Sequence, residues 1–268
     1  MNFISENLIP LLLPPSPCNE CCSACPWTRI LVFFLIWWLI YYALKFVARK
    51  EPEYRCRCIT LIHGVLTTCF TMTDIISTKQ NFDLNLKIPL TDFQFYFLSI
   101  TLSYFIYDLI WINLIGAEPI AIHLHHICSI LLLSKVMTSD TGGPGVSYGL
   151  FGLEFTNPYL QLRWFLRTHG YHNRPIHIVV ELWFMFTFVF IRSVGGTLLL
   201  YFVEVHPEVD IFLKIAFIGI YIVSWLLVVQ VIQFYKKKYM NLYPLLSGSV
   251  LSIFPYRRRI RNHTSNAS

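Results

Sequence analysis

Ionisable side chains lie inside stretches of this chain that are otherwise apolar. His125 and His126 are adjacent in one such stretch, and Asp108 and Glu154 each lie in another. An imidazole can act as a general base or a nucleophile when a carboxylate orients it and supports its charge. These four residues would therefore carry catalysis if the protein is an enzyme.

Further polar residues recur at helical spacing along the same stretches. One helix face carries an arc of about 140°, at about 100° per residue, that contains Ser103, Tyr104, Tyr107, Asp108 and Trp111. Ionisable groups within a membrane normally face a bundle interior or a cavity. The stripes predict a polar cavity, with a lining of His63, Tyr104, Tyr107, Asn157, Gln161, His177 and Glu181.

Several of these residues share one predicted depth. His63, Asp108, His125 and Glu181 each lie about four to six residues from one end of their stretch, or roughly 6–9 Å along a helix. Unrelated structural histidines have no reason to share a depth, so we expect one common layer. The hydroxyls of the same stripes have a simpler explanation, because hydroxyl groups often join membrane helices by hydrogen bonds.

The composition indicates which elements must position these residues. Of the 268 residues, 55% are hydrophobic and 13% are charged, whereas about 25% of an ordinary soluble domain is charged. This argues against a soluble enzyme, and the apolar content argues against a disordered chain. We expect an all-α, multi-pass membrane protein with seven transmembrane helices, over 28–47, 59–76, 93–114, 120–136, 148–166, 176–203 and 211–235.

The basic residues predict the orientation of these helices. The formal net charge is +6, but the lysines and arginines gather at helix ends, which indicates membrane borders and not a nucleic-acid surface. Five basic residues follow the first helix, and seven lie between 236 and 261. The positive-inside rule then places the N-terminus outside the cytosol and the C-terminus inside it.

The cysteines do not favour a metal site. Cys18, Cys21, Cys22 and Cys25 form two abutting Cys-x-x-Cys pairs, whereas the pairs of a tetrahedral zinc site normally stand about a dozen or more residues apart. Disulfides or free thiols fit a lumenal segment better. At Cys56 and Cys58 a plain surface thiol or acylation fits the juxtamembrane position. We expect neither a metal nor a cofactor.

One set of motifs resembles the TLC-domain family, and in particular its smaller TLC domain-containing proteins. The motifs are the paired His125-His126, the preceding Tyr104-x-x-x-Asp108, and the segment 153–166, which reads Leu-Glu-Phe-Thr-Asn-Pro-Tyr-Leu-Gln-Leu-Arg-Trp-Phe-Leu. The resemblance implies six helices around a cavity that admits a lipid chain, with one further helix before them. It divides the chain into a Cys- and Pro-rich segment (1–27), a first transmembrane helix (28–47), a TLC domain (55–240) and a basic tail (241–268).

The resemblance to the ceramide synthases within this family is partial. Their motif pairs two histidines with a later His-Asp-x-x-Asp-x-x-Leu-Glu, and this chain has Leu153, Asn157 and Gln161 where that motif has His, Asp and Glu. The catalytic set of the synthases is therefore incomplete here, and we expect a protein that binds or senses a lipid acyl chain and influences membrane lipid composition. The alternative is an N- or O-acyltransferase that takes acyl-CoA as co-substrate and uses the paired histidines.

Partners and location follow from the same interpretation. The expected partners are membrane lipids, the expected membrane is the endoplasmic reticulum or the plasma membrane, and the oligomeric state stays open. A seven-helix receptor fits less well. The Asn-Pro-x-x-Tyr motif of such receptors lies near the last helix, whereas Asn157-Pro158-Tyr159 lies in the fifth. A metal on His123 and His126, one turn apart, is also less favoured than hydrogen bonding.

Overall fold

The computed structural model describes residues 25–47, 51–78, 88–116, 118–140, 142–172, 174–207 and 209–240. Within these ranges the chain forms helices and no strands. The elements in chain order are α1 (Cys25–Val47), α2 (Pro52–Ser77), α3 (Asp92–Leu114), α4 (Ile120–Ser139), α5 (Gly143–Glu154), α6 (Asn157–Thr168), α7 (Pro175–Phe190), a π-helical segment (Ile191–Gly195), α8 (Gly196–Val205), α9 (Ile211–Tyr235) and a π-helical segment (Lys236–Met240).

Six helical units in the described ranges are long and apolar enough to cross a membrane. They are α1, α2, α3, α4, the unit Pro175–Val205 that joins α7 to α8, and the unit Ile211–Met240 that contains α9. The structure confirms the all-α, multi-pass membrane fold. The Cys18–Cys22 part of the cysteine cluster and the basic tail from 241 lie outside the described residues.

The fifth predicted helix, over 148–166, is divided in two. The chain turns at Phe155 and Thr156, and α5 and α6 have 12 residues each. Pro158 lies in the first turn of α6, where a residue without a backbone N–H costs little. Each half is about 18 Å long, but α5 and α6 follow one another along α2 and together match its length.

Two other boundaries differ from expectation. The helix predicted to begin at residue 59 begins at Pro52, so Arg55 and Arg57 belong to its first turns and not to a loop. The sixth predicted helix, over 176–203, is observed over Pro175–Val205 and continues through the π-helical segment Ile191–Gly195. One wide turn inserted into a helix is a recognised way to absorb a bend without losing backbone hydrogen bonds.

Helices α2, α3, α4 and α9, the α7–α8 unit and the α5–α6 pair form a closed ring. Contacts run from α2 to α3, α3 to α4, α4 to α9, α9 to the α7–α8 unit, α7 to α6, and from α6 and α5 back to α2. Helix α1 packs on the outside, against α3 and α2. Its Trp37 donates a hydrogen bond to Ser103 Oγ (3.2 Å) and packs on Tyr104. The ring places any central cavity between α2, α4, α5, the α7–α8 unit and α9.

The ring has two ends, which we name by a residue at each. At the Tyr54 end, Tyr54 packs on Trp164 and Phe165. At the His206 end, the α8–α9 connection lies near the end of α4, because Lys135 Nζ is 3.5 Å from Asp210 Oδ2. Helices α2, α4 and the α7–α8 unit therefore run from the Tyr54 end to the His206 end.

Candidate functional site

His126 and Asp108 form an imidazole–carboxylate pair in the ring interior. His126 Nε2 lies 3.1 Å from Asp108 Oδ2, and both side chains are buried. The Cys56 thiol donates to the other carboxylate oxygen, Asp108 Oδ1, at 3.4 Å. The helices α2, α3 and α4 thus each supply one member of this group.

A second group of polar side chains extends from His63 along the turn between α5 and α6. His63 Nδ1 lies 3.6 Å from Glu154 Oε2. The Asn157 amide donates to Glu154 Oε2 (3.0 Å), and the Gln161 amide donates to Asn157 Oδ1 (3.2 Å). The His63 ring also stacks on Tyr104, with 3.7 Å between ring centroids.

The close approach of α2 to this turn depends on Gly64. A Cβ atom at Gly64 would stand 3.2 Å from Pro158 Cδ and 3.3 Å from Asn157 Cβ. These distances are tighter than ordinary van der Waals contact. The glycine therefore lets the His63 face of α2 meet the Asn157-Pro158 turn directly.

Phe105 joins the two groups. Its ring centroid is 5.4 Å from that of His126 and 5.8 Å from that of His63. His125 packs against the same ring at 6.1 Å, and Tyr107 is fully buried nearby against Trp38 of α1. We name His63, Asp108, His125, His126 and Glu154 the polar cluster.

The structure therefore brings most of the sequence-predicted site residues together. His63, Asp108, His125, His126 and Glu154 form the cluster, and Tyr104, Tyr107, Asn157 and Gln161 surround it. His177 and Glu181 contact other partners, nearer the Tyr54 end. The carboxylate of Glu181 accepts from Arg163 Nε (2.7 Å), from the Tyr239 hydroxyl (2.6 Å) and from Lys238. The functional roles of all these residues stay predictions.

A partly open cavity of about 920 Å³ lies beside the polar cluster, in the half of the ring toward the His206 end. Most of its wall is aliphatic or aromatic, including Leu132, Leu199 and Phe217. Glycines at 145, 149 and 152 on α5 and at 195 and 196 across from them make room for it. Among the described residues, none of the eleven predicted for the site lines this cavity.

Arg192, Ser129 and Ser224 supply polar groups where the cavity meets the polar cluster. Arg192 Nη1 donates to Ser224 Oγ (3.1 Å), and Nη2 donates to the Leu153 carbonyl (2.7 Å), next to Glu154. Ser129 follows His125 and His126 by one turn of α4. We call these three residues the cavity floor.

The other end of the cavity lies at the α8–α9 connection, where His206 and Asp210 contribute to its wall. Asp210 caps α9, because its Oδ1 accepts from the Phe212 backbone N–H at 2.8 Å. This hydrogen bond favours the carboxylate and lowers the pKa of Asp210. This end of the cavity thus carries a carboxylate that lies 3.5 Å from Lys135 Nζ, and the floor carries a guanidinium.

A family model for the TLC domain matches residues 53–237, which is more than half of the chain. The chain belongs to the TLC domain family. The matched segment runs from the second residue of α2 to just beyond the end of α9, and it contains both the polar cluster and the cavity. A membrane protein related to lipids is therefore the general class, and the TLC domain is the part of the chain that houses the site.

Two residues of the TLC domain site lie where sequence reasoning did not place them. Cys56 was interpreted as a juxtamembrane surface thiol, but it is buried against Asp108. Its spacing was a usable signal, because Cys56, Thr60 and His63 follow one helical face. Arg192, which is not among the residues predicted for the site, lies 11 residues beyond Glu181 along the same unit and belongs to the cavity floor.

The chemical capacity of the TLC domain site is that of an oriented imidazole next to an apolar cavity. Asp108 holds Nε2 of His126, and the described residues offer no hydrogen-bond partner to His126 Nδ1. Neither His125 nor His126 lines the cavity in the described part of the chain. The imidazoles of the polar cluster therefore lie outside the cavity wall, to which His206 contributes at the other end.

Proposed function

We propose that the cavity holds an acyl chain of a membrane lipid, and that through this binding the protein senses or influences membrane lipid composition. The observation that carries the proposal is the apolar cavity of about 920 Å³ inside the ring. Its size is within the range of about 300–1,000 Å³ that small-molecule sites occupy. An acyl chain gains contacts with such a wall, and the membrane supplies the ligand directly.

The ring supports entry from the membrane. Met72, Ile76, Val194 and Leu198 contribute to the cavity wall, and each is at least 46% exposed. A partly open wall of apolar side chains suits a lipid tail, because the tail leaves one apolar environment for another and no polar group is uncovered. Membrane lipids are therefore the proposed partners.

We also propose the orientation and location that the sequence predicts. The N-terminus then lies outside the cytosol and the C-terminus inside it, in the endoplasmic reticulum or the plasma membrane. This orientation places the His206 end, and with it the cavity, in the lumenal or extracellular half of the membrane. The basic residues after α1 and in the tail support the proposal.

Two matched glycine variants test the binding proposal. In Gly149→Leu the new side chain grows from the cavity wall, and in Gly219→Leu it grows from α9 outside the cavity. A Cβ atom meets one side-chain atom at 3.5 Å in both, Leu199 Cδ2 or Cys128 Sγ. The local crowding is therefore the same, and only the occupation of the cavity differs.

The measurement is the amount of lipid that co-purifies with each variant, extracted and identified by mass spectrometry. We expect Gly149→Leu to retain less of one lipid class by about tenfold, which corresponds to roughly 1.4 kcal/mol, and Gly219→Leu to retain as much as wild type. Equal lipid content in all three proteins would refute binding in the cavity. Covalent acyl transfer from labelled acyl-CoA by the wild type would instead identify an enzyme.

A further inference from the structure

Arg192 is a buried cation without an ion-pair partner. It lies in the middle of the spanning unit Pro175–Val205 and is 6% exposed. In the described part of the chain no carboxylate oxygen comes within 4.0 Å of its guanidinium. A charged group at this depth is costly and is retained where it pairs with another group or serves a pathway or a ligand.

The protein uses only part of the guanidinium. An arginine has five N–H donors, and the structure directs Nη1 to Ser224 and Nη2 to Leu153. The Nε atom is buried without a hydrogen-bond partner among the described residues. Glu154 is the acidic residue next in sequence to Leu153, but its carboxylate is engaged by Asn157 and faces His63. Two neutral oxygens and the Phe188 ring, whose centroid is 5.1 Å from the guanidinium carbon, therefore meet one full positive charge.

The Ser129 hydroxyl is a second buried polar group without a hydrogen-bond partner among the described residues. Ser129 is 1% exposed. Both Ser129 and Arg192 line the cavity floor. Buried hydroxyls and guanidinium groups normally have partners, so two incomplete side chains at the floor of one cavity point to a ligand that completes them.

We propose that the cavity floor binds the carboxylate of an unesterified fatty acid, with Arg192 as its counter-ion and Ser129 as a hydrogen-bond donor. This inference rests on the proposed acyl-chain binding and specifies the class of lipid. One guanidinium balances one negative charge, and the apolar wall above the floor receives the chain. A carboxylate attached directly to an acyl chain places its charge at the floor and its tail along the wall.

Other anionic lipids fit the same floor less well. A phospholipid would bring a phosphate, a glycerol and a second chain to the middle of the spanning unit, where the described floor offers one cation and two hydroxyls. A phosphate on a single chain shares the anionic chemistry, so the experiment must distinguish it from a carboxylate.

The experiment measures binding of radiolabelled oleate to the purified full-length protein, in competition with unlabelled oleate, methyl oleate or oleoyl lysophosphatidic acid. We expect oleate to bind about ten- to a hundredfold more tightly than methyl oleate, because the ester lacks the charge that strengthens the hydrogen bonds. The wild-type comparison needs no variant, so it stands even if changes at Arg192 impair folding.

Three variants test whether Arg192 causes the preference for oleate over methyl oleate. Arg192→Gln should abolish the preference for the acid while leaving methyl oleate within about threefold, and Arg192→Lys should keep part of it because the charge remains. Arg163→Gln is the control, since Arg163 is paired with Glu181 and does not line the cavity. It should bind oleate like wild type.

The outcomes separate this inference from the proposed function. Equal affinity for oleate and methyl oleate, with both reduced in Gly149→Leu, would keep the acyl-chain site and overturn the carboxylate assignment. Tighter binding of lysophosphatidic acid than of oleate that depends on Arg192 would assign the floor to a phosphate and overturn it as well. Failure of all three lipids to bind would overturn the proposed function together with the inference.

Discussion

At the scale of single residues, the buried carboxylate of Asp108 is fully engaged. One oxygen lies 3.1 Å from His126 Nε2, and the other accepts from the Cys56 thiol. A buried acid costs free energy unless its oxygens are hydrogen-bonded, and here two helices supply the partners. The same contacts fix the orientation of the His126 ring.

Replacement of Asp108 separates the carboxylate's geometry from its charge. Asp108→Ala leaves His126 Nε2 and Cys56 without this acceptor, and we expect a loss of about 1–3 kcal/mol. Asp108→Asn keeps one acceptor oxygen and should lose less. Thermal unfolding in detergent measures both, with Asn113→Ala, exposed on the same helix, as the control. An alanine variant as stable as wild type would show that these contacts are not structural.

Replacement of His126 tests whether its imidazole serves lipid retention. His126 lies next to the cavity but does not line it, so His126→Gln should leave lipid retention within about tenfold, or roughly 1.4 kcal/mol. His123→Gln, on the same helix, is the control. Acyl transfer that is present in wild type and absent in His126→Gln, with lipid retention intact, would favour the acyltransferase and contradict the non-catalytic proposal.

At the scale of helices, Asp74 links three helices by hydrogen bonds at the His206 end. Its Oδ2 accepts from the Gln94 amide (2.9 Å) and from the Ser147 hydroxyl (2.6 Å), which joins α2 to α3 and α5. Gln94 also completes the cap of α3, because its side chain accepts from Thr91 N while Thr91 Oγ1 accepts from Gln94 N. One carboxylate thus couples a helix cap to two helix contacts.

Asp74→Ala should therefore destabilise the ring more than a surface substitution does. It removes the shared acceptor of two buried donors, and we expect a loss of about 1–3 kcal/mol for each donor left unpaired. Asp92→Asn, exposed in the first turn of α3, should cost about 1 kcal/mol or less. Equal unfolding temperatures for the two variants would contradict this role of Asp74.

The helical elements show what the sequence could predict and what it could not. Long apolar runs fix the spanning helices, because length and hydrophobicity suffice to place a helix in a membrane. The division of 148–166 had a signal in the sequence, because a proline inside a helical run ends or kinks the helix before it, and Pro158 lies in the first turn of α6. The close approach of Gly64 on α2 to this turn is a tertiary contact, which a pattern along the sequence does not reveal.

Part of the site was also predictable, because polar side chains within apolar helices face the interior of a bundle. The shared depth along the predicted helices grouped His63, Asp108 and His125 with Glu181, and the structure brings the first three together while Glu181 pairs with Arg163. The stripes could not tell which part of the interior is packed and which is hollow. The cavity arises from glycines on α5 and from the π-helical segment, and neither leaves a polar signal.

At the scale of the whole molecule, polarity is arranged for a lipid solvent. Leu39, Phe46, Phe186 and Ile211 are more than 60% exposed, whereas Asp74, Asp108 and Glu154 are buried. A soluble protein would expose the acids and bury the large apolar side chains. This arrangement places acidic side chains inside the ring and presents an apolar surface to the membrane.

The orientation of the molecule gives a prediction at this scale. Asn262-His263-Thr264 and Asn266-Ala267-Ser268 are glycosylation sequons, and they accept sugar only in the lumen. Because the basic tail predicts a cytosolic C-terminus, neither should be modified in cells. A shift in electrophoretic mobility on glycosidase treatment, lost when both asparagines are replaced by glutamine, would reverse the orientation.

The central claim is that an acyl chain occupies the cavity, and photocrosslinking tests it most directly. Palmitate with a diazirine midway along its chain, supplied as the acid and as the methyl ester, is activated on the purified protein, and the labelled residues are mapped by mass spectrometry. We predict labels at cavity residues such as Leu199 and Ile220 that excess oleate suppresses, and labels at outer residues such as Leu39 and Phe186 that it does not. Cavity residues left unlabelled by both probes, or labelled equally with and without competitor, would contradict the account.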